Sequence, residues 1–287
     1  MKSKIQTVGF IILIIFSVQV LLLNIIPKGI AAILRIIGFY VSSENLLDKY
    51  LIGITVRCIG IVAGLFFLSK TGVLKRMSNK ITFAIIYVSW IFYIYIAANL
   101  ELDVIMIDQI PLVALMILNS FATGYFEEII FRGISLYLLL KQWGGTKKGI
   151  LMSVFLCSTL FGFSHLFNIF AGANPVNTAG QALYTAVLGI AFCALLLRTN
   201  WNLIWCGLLH ALYNIMGSFD EFTPVTESGK DIATTSAGNL ISANIINLVM
   251  FLPILVYGLF ILRKVEPVTL SPIIVTVKKQ PINGHFN

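Results

Sequence analysis

The run IPLVALMILNSFATGYFEEIIFRGISLYLLL, residues 110–140, decides the fold and concentrates the chemistry. It is apolar for longer than the ~20 residues a helix needs to cross a ~30 Å hydrocarbon core. Its only charges, Glu127, Glu128 and Arg132, sit well inside it. Similar apolar runs recur from end to end, at roughly 5–26, 51–69, 81–99, 150–167, 179–197, 202–217 and 240–262. A membrane β-barrel would instead alternate polar and apolar over ~10-residue segments. The fold expected is therefore an all-α, polytopic membrane bundle of about eight transmembrane helices. The run 110–140 is long for one crossing, so it must tilt, break or extend beyond the bilayer.

Composition agrees. The chain has 287 residues with 58% hydrophobic and 11% charged residues and mean hydropathy +0.93, whereas soluble domains average near 25% charged. The net charge of +8 is scattered over short loops rather than gathered on a soluble domain, which argues against nucleic acid and for lipid attraction and topology control. Placing the N-terminus in the cytoplasm puts 14 Lys and Arg residues in cytoplasmic segments and 4 in outer ones, with Arg57 and Arg132 left inside spans. Adding or removing one span would scramble that asymmetry, so the positive-inside rule supports cytoplasmic N- and C-termini. Cys58, Cys157, Cys193 and Cys206 all lie in apolar runs without C-x-x-C spacing and read as small buried residues.

Three regions follow. Residues 1–109 hold transmembrane helices 1–3, with the first apolar run retained rather than cleaved as a signal and an interfacial segment over Pro27–Tyr40. Residues 110–217 hold helices 4–7. Residues 218–287 comprise a polar outer loop, a last helix and a cytoplasmic tail. No internal repeat of the inverted-transporter kind is present.

Charge inside a bilayer costs about 2.5–3.5 kcal/mol per residue on insertion scales, so each polar group there needs a reason. Glu128 and Arg132 are at i,i+4 with the acid first, the favoured order for a helical ion pair. Glu127 points about 100° away and is left free for chemistry. Phe161 and His165 share a helix face one turn apart, as do His210 and Asn214. Either of the latter pair can donate to a developing oxyanion, and either can instead bond across helices. At ~1.5 Å per residue, Glu127, His165, Asn214 and His210 lie roughly 20, 22, 18 and 12 Å from the cytoplasmic boundary. Three helices thus bring polar groups near the middle of the bilayer, where an ionisable cluster is a functional hypothesis by default.

A carboxylate, two imidazoles and a carboxamide suit hydrolysis of an acyl bond by water. Glu127 would take the proton, His165 would orient the water or the carbonyl, and His210 with Asn214 would hold the oxyanion. No G-x-S-x-G elbow and no H-E-x-x-H helix is present. Zinc held by Glu127, His165 and His210 stays open beside a mechanism that needs no cofactor.

The ordered trio E-E-x-x-x-R (Glu127, Glu128, Arg132), F-x-x-x-H (Phe161, His165) and H-x-x-x-N (His210, Asn214) resembles the motifs of the CAAX protease and bacteriocin-processing family, also called Abi or type II CAAX prenyl endopeptidase-like. The resemblance covers roughly 110–217 and every motif residue is intact. It implies an intramembrane endopeptidase, a hydrolase whose first glutamate activates water and whose histidines and asparagine meet the scissile carbonyl. The substrate expected is a membrane-associated protein or secreted-peptide precursor in the cell membrane, and the Ile-, Lys- and Asn-rich composition fits a low-GC bacterium. The competing reading is a non-catalytic membrane scaffold or immunity-type protein that uses the polar cluster for stability and partner binding.

Overall fold

The computed structural model describes residues 4–42, 45–98, 109–222 and 237–267. These are helical, with no strand among the described residues. Helix α1 (Lys4–Ile36) runs 33 residues, with Val18–Ile25 wound as π-helix. Pro27 follows that stretch. Its missing N–H and its crowding of the carbonyl one turn back are absorbed by the wider winding. Residues after Pro27, expected as a separate interfacial piece, here continue α1 as far as Ile36.

Helix α2 (Leu46–Lys70) starts on Asn45, whose side chain accepts from the Leu47 N–H, satisfying one of the open donors of the first turn. The run expected as one span over 81–99 is two helices, α3 (Phe83–Val88) and α4 (Trp90–Ala98). They part at Ser89, whose hydroxyl bonds the Ile85 carbonyl at 2.8 Å and accepts from Trp205 Nε1 at 2.7 Å. Helix α5 (Ile110–Trp143) carries the opening run and is 34 residues long. Its Ile129–Leu136 stretch is π-wound and every residue of it is buried.

Helix α6 (Lys147–His165) begins on Thr146, whose side chain accepts from the Gly149 N–H, and ends in a 3₁₀ extension, Leu166–Ala171. Helix α7 (Pro175–Arg198) opens on Asn174 with Pro175 in its first turn, where the missing N–H is harmless. A tight turn with Asn200 and Trp201 in the left-handed region leads into α8 (Leu203–Met216). Helices α9 (Ala237–Met250) and α10 (Leu252–Leu262) follow. The tail beyond 267, with His285, lies outside the described residues, as does most of the outer loop.

Six of these stretches are long and apolar enough to cross a bilayer. The chain is a multi-pass membrane protein. The broken α3–α4 pair and α8 account for the other two expected spans. At 14 residues, α8 is only about 21 Å long, short of a ~30 Å core.

Helix α5 lies between α2 and α8, and α7 packs on both α6 and α10. Phe131, Phe161, Phe192 and Leu195 are buried where α5, α6 and α7 meet. Large apolar side chains such as Phe66, Ile246 and Val256 are exposed on outer faces, as a lipid-solvated surface allows.

Candidate active site

The site is set by how closely α8 approaches α5. A Cβ on Gly124 would stand 2.7 Å from the Ala211 amide nitrogen and 3.0 Å from the Gly207 carbonyl oxygen. Both obstacles are backbone, so only glycine permits the contact. One turn further along α5 come Glu127 and Glu128. Facing them from α8 is His210.

The His210 imidazole bridges the two carboxylates. Its Nδ1 lies 2.9 Å from Glu128 Oε1 and its Nε2 lies 3.5 Å from Glu127 Oε2. Glu128 also pairs with Arg132, whose Nη1 stands 3.1 Å from the same Oε1. The neighbouring glutamates differ sharply in access: the Glu128 and Arg132 side chains are 0% exposed, while that of Glu127 is 22% exposed. The first turn of the π stretch spans the Glu128–Arg132 spacing, and π winding is frequent at functional sites.

Aromatic rings wall the charged groups. The Arg132 guanidinium carbon sits 4.3 Å from the Phe161 centroid and 5.4 Å from that of Phe192. Phe192 stacks on His210 with centroids 5.2 Å apart. Cation–π contact of this kind strengthens where water is excluded. Phe161 also presents its ring edge-on to His165, at 4.9 Å, and to His210, at 6.0 Å.

His165 is half-buried at the end of α6, its Nδ1 3.0 Å from the Phe161 carbonyl oxygen. That carbonyl accepts only if Nδ1 carries the proton, which leaves Nε2 as an acceptor on the neutral ring. Asn214 is half-buried one turn after His210 on α8. Among the described residues its side-chain amide has no hydrogen-bond partner, while its main-chain carbonyl accepts from the Ser218 hydroxyl.

All seven motif residues therefore fall on α5, α6 and α8, with Glu127, Glu128, Arg132 and His210 in one connected network. His165 joins it through Phe161. Two expectations change. His210 is not open for an incoming oxyanion, because each of its nitrogens already faces a carboxylate. Glu127, expected to be free, has an imidazole neighbour. Glu127, His165 and His210 do not fit a zinc site as they stand: among the described residues no group of three or more His, Cys, Asp or Glu is placed to hold an ion.

Three contributors escape motif reading. Phe192 stacks on the site but is one apolar residue among many in its helix. Gly124 looks like any other small residue in a span. Arg57 on α2 is visible as a lone cation in an apolar run, but its neighbour is not: its Nη1 donates to Asn119 Oδ1 of α5 at 3.2 Å.

Comparison with curated proteins and with solved structures finds no match. A family model does match over residues 109–216, that of the type II CAAX prenyl endopeptidase Rce1-like proteins. Those residues contain every motif residue just described, and over them the chain is similar to the CAAX protease family.

Proposed function

We propose that this protein is an intramembrane endopeptidase that hydrolyses a peptide bond of a membrane-associated or secreted-peptide substrate with Glu127 as the base. The family implies endopeptidase activity in general. The observation that supports the specific reading is the unequal treatment of two adjacent glutamates. Glu128 is locked, buried and paired twice, and Glu127 alone opens to the outside. A scaffold needs only the locked pair; the half-open carboxylate is what hydrolysis adds.

In the reaction, water bonded to the Glu127 carboxylate gives it a proton as its oxygen attacks the carbonyl carbon. The new C–O bond leaves a tetrahedral oxyanion. Collapse breaks the C–N bond, and the proton on Glu127 passes to the departing amine. His210 holds Glu127 in place, with its own orientation set by Glu128 and Arg132. The Asn214 amide can donate to the carbonyl and its oxyanion, and the His165 Nε2 lone pair can accept from the attacking water and orient it. The enzyme would sit in the cell membrane with both ends in the cytoplasm, as the loop charges indicate.

The purified full chain, incubated with a panel of lipidated and unlipidated peptides, should cleave at least one. Glu127→Gln should lose that cleavage by about three orders of magnitude or more while unfolding at a similar temperature. Undiminished cleavage by that variant refutes the mechanism.

A further inference from the structure

Arg57 is a cation within an apolar helix, outside the segment that the family model covers. Such a residue is costly in a bilayer and normally pairs inward. Its helix is drawn tightly against α5. A Cβ on Gly60 would fall within 2.3 Å of the Phe126 ring, and one on Gly64 within 2.4 Å of the Ile129 side chain. Small residues at such spacing let membrane helices approach closely.

At Gly53 the same absence of a side chain leaves room for two polar groups. A Cβ there would lie 2.7 Å from both Arg57 Nη1 and Asn119 Oδ1. The guanidinium is thus seated over Gly53 and held by Asn119. On α5, Asn119, Thr123 and Glu127 are successive members of one i,i+4 row. Thr123 turns its hydroxyl onto the Asn119 carbonyl at 2.7 Å, so it does not claim the guanidinium. Because Gly53, Gly60 and Gly64 meet Asn119, Phe126 and Ile129 in turn, α2 runs alongside this row and brings Arg57 to the turn of α5 that ends at Glu127.

Charge balance in the cluster points the same way. Glu128 is compensated by Arg132 at 3.1 Å. The arginine of the family motif, Arg132, is thus taken by Glu128, and outside the motif Asn119 bonds Arg57 without neutralising it. We infer that Arg57, seated by Gly53 and Asn119, is the counter-ion and positioning residue of Glu127, so that α2 completes an active site whose other parts lie on α5, α6 and α8. This deepens the peptidase reading and rests on it for its kinetic consequence. The pairing itself does not.

The test separates the two. Thermal unfolding of the full chain in detergent is compared for Arg57→Gln, Glu127→Gln and the double variant. Each single change strands one charge and the double change strands none, so the double variant should unfold well above the temperature that adding the two single losses predicts. Strictly additive losses overturn the inference, whether or not any peptide is cleaved. On a cleaved peptide, Arg57→Gln should lower kcat about tenfold at an unchanged KM, and Arg57→Lys should recover most of it. A Lys variant as poor as the Gln variant, or a change confined to KM, also overturns it.

Discussion

Replacing Gly124 with alanine tests the geometry of the site without touching a polar group. The added methyl would lie 2.7 Å from the Ala211 nitrogen. Comfortable carbon contacts begin near 3.5–4.0 Å, so α8 must retreat from α5 by about 1 Å. Backbone stands on both sides, so no side chain can swing away to absorb the shift. His210 travels with α8. Its 2.9 Å contact with Glu128 would open to nearly 4 Å, beyond hydrogen-bond range, and its contact with Glu127 would lengthen in step. Overpacking of this kind costs about 1–3 kcal/mol, and a 1 Å misplacement near the chemistry can cost about a hundredfold in rate. Gly124→Ala should therefore lower the unfolding temperature measurably and reduce peptide cleavage far more than that loss explains. Gly145→Ala, where nothing lies within 4 Å of the new methyl, is the control. If Gly124→Ala unfolds and turns over like the parent, the close approach of α8 is not what sets the site.

Two further changes probe the support around it. Arg132→Met alone should destabilise by about 3–5 kcal/mol, because it leaves Glu128 buried without its cation, and Glu128→Gln in the same chain should restore part of the loss in chemical unfolding. Asn202→Ala should cost about 1–2 kcal/mol, since its side chain accepts from the Trp205 N–H at 2.9 Å and donates to the Lys80 carbonyl at 3.0 Å. Unfolding in denaturant at an unchanged midpoint would show that this link to the α2–α3 connection carries no stability.

The parts of the site that sequence makes legible are those fixed within one helix. Glu128 and Arg132 declare themselves by i,i+4 spacing, and the shared face of His210 and Asn214 follows from the same period. Apolar runs give the helices, because a bilayer leaves the backbone few other ways to satisfy its hydrogen bonds. What depends on two helices meeting is not legible in this way. That His210 touches both glutamates follows from the approach at Gly124, which no periodicity announces. At Ser89, where 81–99 divides, the hydroxyl takes a hydrogen bond from a tryptophan more than a hundred residues away. The role of Arg57 needs the packing of α2 on α5 before it can be read at all.

The π stretch in α5 carries a consequence of its own. Each π turn holds one residue more than an α turn, so Ile129–Leu136 shifts the angular phase of everything after it relative to Glu127 and Glu128. Tyr137, Leu139 and Leu140, buried beyond it, meet their neighbours from directions that an unbroken α-helix would not give. The stretch works as a vernier between two stacked halves of one helix, one facing the chemistry and the other the core near Trp201. Because it is buried on all sides, it has no free surface on which to unwind. A single-residue deletion there would put the two halves out of step, so this part of the helix is constrained in length as strictly as the carboxylates are in kind.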